Sequence, residues 1–210
     1  GIPEFRLPNA IIDREIATLK AMGVRVITNF VVGRTRKLTD LIDKEGYDAV
    51  FVGTGAGLPL FMGIPGENLN GVFAANEYLT RINLMQAYQK AADTPVASGK
   101  KVVVLGGGNV AMDAARMALR LGAEKVTVVY RRSEAEMPAR KEEILHAREE
   151  GVEFLLLANA VALNANENGF VQSATCVRYS LGEPDATGRR SPVEIPDSSF
   201  TLEADTVVVA

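Results

Sequence analysis

Apolar side chains recur along the first third of the chain with two different periods. Between residues 9 and 22 they fall at steps of three and four, which predicts a helix with one buried face. Residues 24–32 are instead rich in β-branched side chains and predict a strand, and residues 47–53 predict another buried strand, with a short helix over residues 38–44 between them. Residues 58–71 contain prolines and glycines without a sustained period, so we expect a loop there.

Short apolar runs alternate with helical periods in the rest of the chain. A helix over residues 75–90 precedes a β-α-β-α-β series, which is the sequence form of a parallel α/β sheet with right-handed connections. Residues 170–179 and 201–210 predict two later strands separated by a polar loop, which we interpret as a β-hairpin extension of a Rossmann-like domain. The series consists of strands over residues 101–105, 125–130 and 152–157 and helices over 109–121 and 139–150.

Composition narrows the possible classes of protein. The 210 residues, 47% hydrophobic and 23% charged, are typical of one large or two small globular domains. The net charge of −3 argues against a nucleic-acid or anionic membrane partner, and no apolar run is long enough to cross a bilayer. Cys176 and His146 are the only residues of their types, which excludes an internal disulfide and multi-histidine metal sites. We expect a cytoplasmic protein.

The segment from Val102 to Ala111 contains the pattern G-x-G-x-x-A between a predicted strand and a predicted helix. In dinucleotide-binding domains the first glycine permits the tight turn, the second admits a pyrophosphate to the backbone, and the small third residue allows close helix packing. The alternative is a glycine turn that only connects strand to helix, which leaves three successive glycines unexplained. The predicted pyrophosphate-binding residues are Gly106, Gly107, Gly108, Asn109, Val110 and Ala111.

The strand that follows ends in Arg131 and Arg132, at the position where NAD-binding domains place an acidic residue for the ribose hydroxyls. Two guanidinium groups match a 2′-phosphate, so NADPH is expected to bind better than NADH. The alternative is that both arginines are surface residues paired with Glu134 and Glu136. Arg140, at the start of the next helix, is a further candidate for the phosphate, with a surface position equally open.

No side chain is assigned a catalytic acid–base role. Asp113 lies one turn into the fingerprint helix, where a helix-dipole or surface carboxylate is expected. His146 lies among glutamates on a charged helix, and Cys176 alternates with polar neighbours in a predicted strand, so we expect neither to be catalytic.

Several segments together resemble the small (beta) subunit of NADPH-dependent glutamate synthase. The resemblance covers essentially the whole chain and extends to the large subunit of NADH-dependent ferredoxin:NADP oxidoreductase and, more distantly, to adrenodoxin reductase. The segments are residues 1–8, 53–59, 63–66, 106–116 and 130–140.

The resemblance implies a flavoprotein in which an NADPH domain is inserted into an FAD domain. Residues 75–200 then correspond to the NADPH domain, residues 1–74 to part of the FAD domain, and residues 201–210 to a strand returning toward it. Gly53, Thr54 and Gly55 match the family's glycine turn near the flavin. Because the chain begins at Gly1 and stops inside an apolar run, we interpret it as an internal segment of a longer polypeptide.

The same resemblance implies the reaction and its cofactors. In the full-length protein, hydride passes from NADPH to FAD, and electrons pass through iron–sulfur clusters of an amino-terminal segment to a large subunit that makes glutamate. FAD is not expected to be retained by this chain alone. Three alternatives remain: a ferredoxin:NADP oxidoreductase subunit, a stand-alone NADP-dependent dehydrogenase, and a non-catalytic NADPH-binding module.

Overall fold

The chain forms two compact units. The computed structural model describes residues 2–55, 57–96, 99–184, 188 and 190–210. One unit contains Glu4–Gly57, and the other contains Gly1–Pro3 with Leu58–Ala210. The assignment of residues 1–74, 75–200 and 201–210 to different cofactor domains stays a prediction.

The smaller unit contains two helices, α1 (Asn9–Ala21) and α2 (Leu38–Asp43), as the apolar pattern predicts. The prediction of strands over residues 24–32 and 47–53 is wrong, because neither run pairs with another strand among the described residues of this unit, where Val32 makes only an isolated bridge to Arg36. Strand formation requires such pairing, and β propensity alone does not supply it. The expectation of a buried face on α1 is also wrong, since no residue of this helix is buried.

Three further α-helices and nine strands lie in the described part of the larger unit. The helices are α3 (Ala75–Leu79), α4 (Asn109–Arg120) and α5 (Lys141–Glu149). The strands are β1 (Val72–Ala74), β2 (Lys101–Leu105), β3 (Lys125–Tyr130), β4 (Glu153–Leu156), β5 (Ala158–Ala165), β6 (Val171–Pro184), β7 (Arg190–Glu194), β8 (Phe200–Glu203) and β9 (Thr206–Val209).

A parallel sheet in the order β1-β9-β2-β3-β4 forms the centre of this unit. β9 pairs with β1 on one side and with β2 on the other, and all four pairings are parallel. The predicted β-α-β-α-β series is confirmed, and its strands end at one edge of the sheet. The carboxyl ends of parallel strands are where open α/β sheets bind ligands.

The helices follow the prediction closely at α4 and α5 but not at α3. The predicted helix over residues 75–90 continues beyond α3 only as one π-helical turn, Thr80–Leu84, and Gln86 then has a φ of +51°, outside the right-handed region. α4 and α5 are joined by the buried Arg116, whose guanidinium bonds Glu143 at 3.1 Å and Glu150 at 2.8 Å. No described helix has the length and apolarity that a membrane span requires.

An antiparallel sheet packs beside the parallel one. β6 pairs with β5, β7 and β8, which confirms a hairpin extension in a larger form than predicted. β5 and β7 are absent from the prediction, and the single strand predicted over residues 201–210 is two strands in two sheets. The division falls at Asp205, whose carboxylate accepts the N–H groups of Lys100 at 3.0 Å and Lys101 at 3.1 Å.

The two sheets share one apolar core. Valines of β2, β3 and β9 pack against small side chains of β5 and β6, and Cys176 lies fully buried among them. Burial raises the pKa of the Cys176 thiol to about 11, so the thiol stays protonated at neutral pH. This agrees with the structural role expected from the sequence.

A loop over residues 62–67 closes onto this core. The Glu67 carboxylate accepts three backbone N–H groups, from Met62, Gly63 and Ile64, at 2.7, 2.8 and 3.1 Å. Gly66 has a φ of +90°, and a Cβ there would lie 2.1 Å from the carbonyl oxygen of Leu163 in β5. The loop can therefore approach β5 only with glycine at position 66.

We expect Gly66→Ala to destabilise the fold more than Gly63→Ala, its matched control in the same loop. Both positions have positive φ, but a Cβ at Gly63 meets no atom within 4 Å. Backbone strain predicts a loss of about 1–2 kcal/mol for Gly63→Ala, and the collision with β5 adds to it, giving about 3 kcal/mol or more for Gly66→Ala. Urea unfolding followed by circular dichroism measures both, and equal stabilities would contradict the close approach.

Candidate functional site

The glycine turn, residues 106–108, connects β2 to α4. Its first residue, Gly106, has a φ of +151°, and its N–H donates to the Val129 carbonyl oxygen at 3.1 Å. A Cβ at Gly106 would lie 2.4 Å from the carbonyl oxygen of Ala210. The chain can therefore leave β2 here only through glycine, because both the backbone conformation and the neighbouring segment exclude a side chain.

Gly107 packs against the end of β3. A Cβ at this position would lie 2.6 Å from the Tyr130 ring. The Gly107 carbonyl accepts the N–H of Ala139 at 3.1 Å, which attaches the β3–α5 loop, residues 131–140, to the glycine turn. The second glycine is therefore also required by packing within the chain.

Gly108 differs from its two neighbours. Its φ of −90° and ψ of 176° suit any residue, and a Cβ there would meet no atom within 4 Å. It is the N-cap of α4, yet it supplies no side-chain cap, and the first turn of α4 contains no acidic residue. The amide groups at this helix end, with the positive end of the helix dipole, therefore face a space suited to an anion.

Asn109 and Ala111 fix the start of α4. The Asn109 side-chain oxygen accepts the N–H of Arg140 at 3.0 Å, which places the first residue before α5 beside the glycine turn. Ala111 is completely buried, as close packing of the helix against the sheet requires, whereas the Val110 side chain is exposed. The Arg140 side chain is also exposed.

Arg131 and Arg132 lie directly after β3. Arg131 is exposed and Arg132 partly exposed, and Arg132 donates from Nε to the Arg190 carbonyl oxygen at 2.9 Å. The two glutamates of the loop form ion pairs with other arginines, Glu134 with Arg148 and Glu136 with Arg190. The alternative that Arg131 and Arg132 are surface partners of these glutamates is therefore not what the structure shows.

Glu136 is held in a fixed position within the loop. The Ser133 hydroxyl donates to its carboxylate at 2.5 Å and the Ser133 N–H at 3.2 Å, while Arg190 donates from Nε at 3.1 Å. The hydrogen bond from Ser133 and the charge of Arg190 hold the pKa of Glu136 below its usual value. The carboxylate is therefore ionised at neutral pH.

Three residues of this region were missed by the sequence interpretation. Tyr130 supports Gly107 with its ring and donates from its hydroxyl to the Glu136 carbonyl at 2.8 Å. Because Tyr130 is the last residue of a predicted strand next to the glycine turn, its position in the sequence could have indicated this contact. Glu136 was considered only as a partner of Arg131 and Arg132, and Arg190 lies 54 positions from it in sequence, so no local pattern indicates their contact.

The remaining candidates belong to other segments of the chain. Gly53, Thr54 and Gly55 belong to the smaller unit, where all three are exposed and Gly55 has a φ of +71°. His146 is exposed on α5, as expected. Asp113 is buried in α4 and so is not a surface carboxylate.

A solved structure shares this fold. FprA of Mycobacterium tuberculosis, in complex with NADPH, superposes with a TM-score of 0.72 at 21% identity, covering 87% of this chain and 53% of that protein. At this identity the likeness establishes the fold of the chain.

Two curated relatives are more similar in sequence, and both align with the whole chain. The NADP(+)-dependent formate dehydrogenase subunit beta of Moorella thermoacetica is 44% identical to this chain, which covers 29% of its length. The glutamate synthase [NADPH] small chain of Halomonas elongata is 42% identical to this chain, which covers 44% of its length. The chain thus spans less than half the length of these relatives.

The sequence pattern of one protein family matches residues 12–210, which includes both compact units almost entirely. This match agrees with the parallel sheet, the glycine turn and the relatives described above. The chain therefore belongs to the pyridine nucleotide-disulphide oxidoreductase family.

Proposed function

We propose that this chain is the NADPH-binding part of a flavin- and iron–sulfur-dependent oxidoreductase of the glutamate synthase small-chain type. In the longer protein it passes reducing equivalents from NADPH to FAD and on to a partner subunit for glutamate synthesis. The observation that carries the proposal is Gly108, a glycine that neither backbone conformation nor packing within the chain requires. Its missing side chain leaves room at a helix end that attracts anions.

The pyrophosphate fits the glycine turn. Gly106 and Gly107 pack closely against Ala210 and Tyr130, and their backbone groups bond Val129 and Ala139, which restricts the position of the amides that follow. Asn109, Val110 and Ala111 form the first turn of α4, where N–H groups lack helical acceptors and can donate to phosphate oxygens. The amides thus need little reorganisation on binding, which favours affinity.

The 2′-phosphate fits the arginines of the β3–α5 loop. Arg131 and Arg132 follow directly from the strand next to the glycine turn, and Arg140 is attached to that turn through its own backbone. Guanidinium groups offer paired planar donors to phosphate oxygens. When bound, NADPH supplies the hydride, and the role of these residues is to hold and orient the coenzyme.

The smaller unit supports the flavin side of the proposal. It exposes apolar side chains that an isolated unit would bury, including Phe51 at 94% exposure and Val52 at 63%. Such exposure is typical of a surface that another part of the protein covers. We assign Gly53, Thr54 and Gly55 to the flavin turn of the longer protein, and its iron–sulfur clusters to a segment outside this chain.

A partner subunit is supported by the names of the relatives. The related chain of formate dehydrogenase is a beta subunit and that of glutamate synthase a small chain. We assign this chain the same position, delivering electrons to a larger subunit.

We expect Gly108→Ala to fold normally but to lose NADPH affinity. A Cβ at this position meets no atom of the chain, so the loss of stability is limited to about 1 kcal/mol for alanine at an N-cap. Displacing the pyrophosphate weakens amide–phosphate hydrogen bonds of about 1.5–3 kcal/mol each, so affinity falls more than tenfold. Quenching or enhancement of NADPH fluorescence measures binding, and thermal melting measures folding.

Gly107→Ala is the matched contrast to this variant. Its Cβ would collide with the Tyr130 ring, so it lowers the melting temperature as well as the affinity. If Gly108→Ala kept the affinity of the wild type, the glycine turn would not be the pyrophosphate site.

We expect the double variant Arg131→Ala, Arg132→Ala to lose the preference for NADPH. Charge-assisted hydrogen bonds of about 1.5–3 kcal/mol each predict a loss of NADPH affinity on the order of a hundredfold, with NADH affinity nearly unchanged. Titration calorimetry with both coenzymes measures the ratio. Lys125→Ala is the control, because this exposed cation lies at the opposite end of β3 and pairs with Glu153. An unchanged ratio in the double variant would refute the assignment.

A further inference from the structure

The hairpin formed by β6 and β7 reaches the β3–α5 loop. Arg190, the first residue of β7, makes two contacts there: its carbonyl accepts Arg132 Nε at 2.9 Å, and its own Nε donates to Glu136 at 3.1 Å. A strand of the antiparallel sheet thus contacts the loop that follows a strand of the parallel sheet. Arg190 makes both of these contacts.

Three hydrogen bonds, two from Ser133 and one from Arg190, hold the Glu136 carboxylate in this loop. In a capping box, the Ser133 hydroxyl accepts the N–H of Ala135 while the Glu136 carboxylate accepts the N–H of Ser133. The Glu136 side chain is only 11% exposed, whereas that of Arg190 is 46% exposed. NAD-binding domains use a carboxylate at the end of this strand for the ribose hydroxyls, and in this chain the nearest fixed carboxylate is that of Glu136, six residues beyond the end of β3. Its charge would repel a 2′-phosphate, which carries nearly two negative charges of its own.

The contact to the carbonyl of residue 190 acts on Arg132. Because Nε of Arg132 is occupied by that carbonyl, its guanidinium plane is fixed. Among the residues that the structure describes, the two terminal nitrogens of Arg132 have no hydrogen-bond partner, so they are available to donate to an oxyanion. The same residue therefore offsets the unfavourable charge in the loop and orients a favourable one.

We propose that Arg190 is a positioning residue for coenzyme selection, which makes the β3–α5 loop accept a 2′-phosphate by offsetting the Glu136 carboxylate. The proposal rests on the proposed NADPH site. Arg190 acts here through Glu136 and not by touching the coenzyme. NADPH selection then depends on a hairpin remote in sequence from the dinucleotide fingerprint.

The test is a double-mutant cycle with Arg190→Gln, Glu136→Gln and both together, measured on the full chain by calorimetric titration with NADPH and NADH. Arg190→Gln should weaken NADPH binding about five- to tenfold and change NADH binding less than twofold, because NADH lacks the 2′-phosphate. In the double variant, where no carboxylate remains at position 136, NADPH affinity should return to within about twofold of the wild type. Glutamine preserves the hydrogen bond from the Ser133 backbone, so the loop keeps its capping box.

Arg178→Gln is the matched control. Arg178 is an exposed arginine of β6 whose guanidinium carbon lies 4.9 Å from the centre of the Phe200 ring. Its removal should leave the affinity for both coenzymes unchanged. Because half-exposed ion pairs contribute little to stability, Arg190→Gln should also melt close to the wild type, so a loss of binding is not a loss of folding.

The outcomes separate this proposal from the proposed function. If the wild type binds NADPH and Arg190→Gln binds it equally well, the role of Arg190 is overturned and the NADPH site stands. If the affinity lost in Arg190→Gln is not restored by Glu136→Gln, Arg190 contacts the coenzyme directly, which also overturns the proposal. A wild type that fails to bind NADPH overturns both.

Discussion

The close approach of the glycine turn to its two neighbouring segments is the constraint on which the larger unit depends. Gly106 lies against the carbonyl of Ala210, just after β9, and Gly107 lies against the ring of Tyr130, at the end of β3. The turn is thus held on both sides by segments that leave the sheet in the same direction. Since a Cβ at either position would collide with Ala210 or with the Tyr130 ring, this sheet order requires glycine at both positions.

This constraint determines what chemistry the turn can support. Gly106 and Gly107 are required by packing, whereas Gly108 lies on the open side of the turn. α4 begins there, with backbone N–H groups that have no acceptor within the helix. The same Tyr130 that supports Gly107 bonds the β3–α5 loop through its hydroxyl. The amides and the arginines therefore belong to one connected structure at the carboxyl edge of the sheet, which is the preorganisation that tight anion binding needs.

The elements predicted correctly are those whose signals are local. The strands and helices from β2 to β4 each combine a distinct apolar period with glycine at a turn, so the sequence alone defines them. The runs at residues 24–32 and 47–53 have a similar β-branched composition but find no partner strand in the part of their unit that the structure describes. β5 is rich in alanine and asparagine, so its apolar pattern is weak. Both failures arise because pairing, and not composition, decides whether a strand forms.

The residues of the candidate site show the same difference between local and long-range signals. The place of the three glycines in a turn was predictable because a tight turn restricts residue type within a few positions. The place of the two arginines was predictable because they directly follow a clear strand pattern. The role of Arg190 could not be predicted from local sequence, because its contacts are to residues 54 and 58 positions away. A carboxylate in the loop after β3 is therefore not by itself a sign of NAD preference. Its effect depends on whether the fold brings a cation to it, and in this chain that cation comes from another sheet.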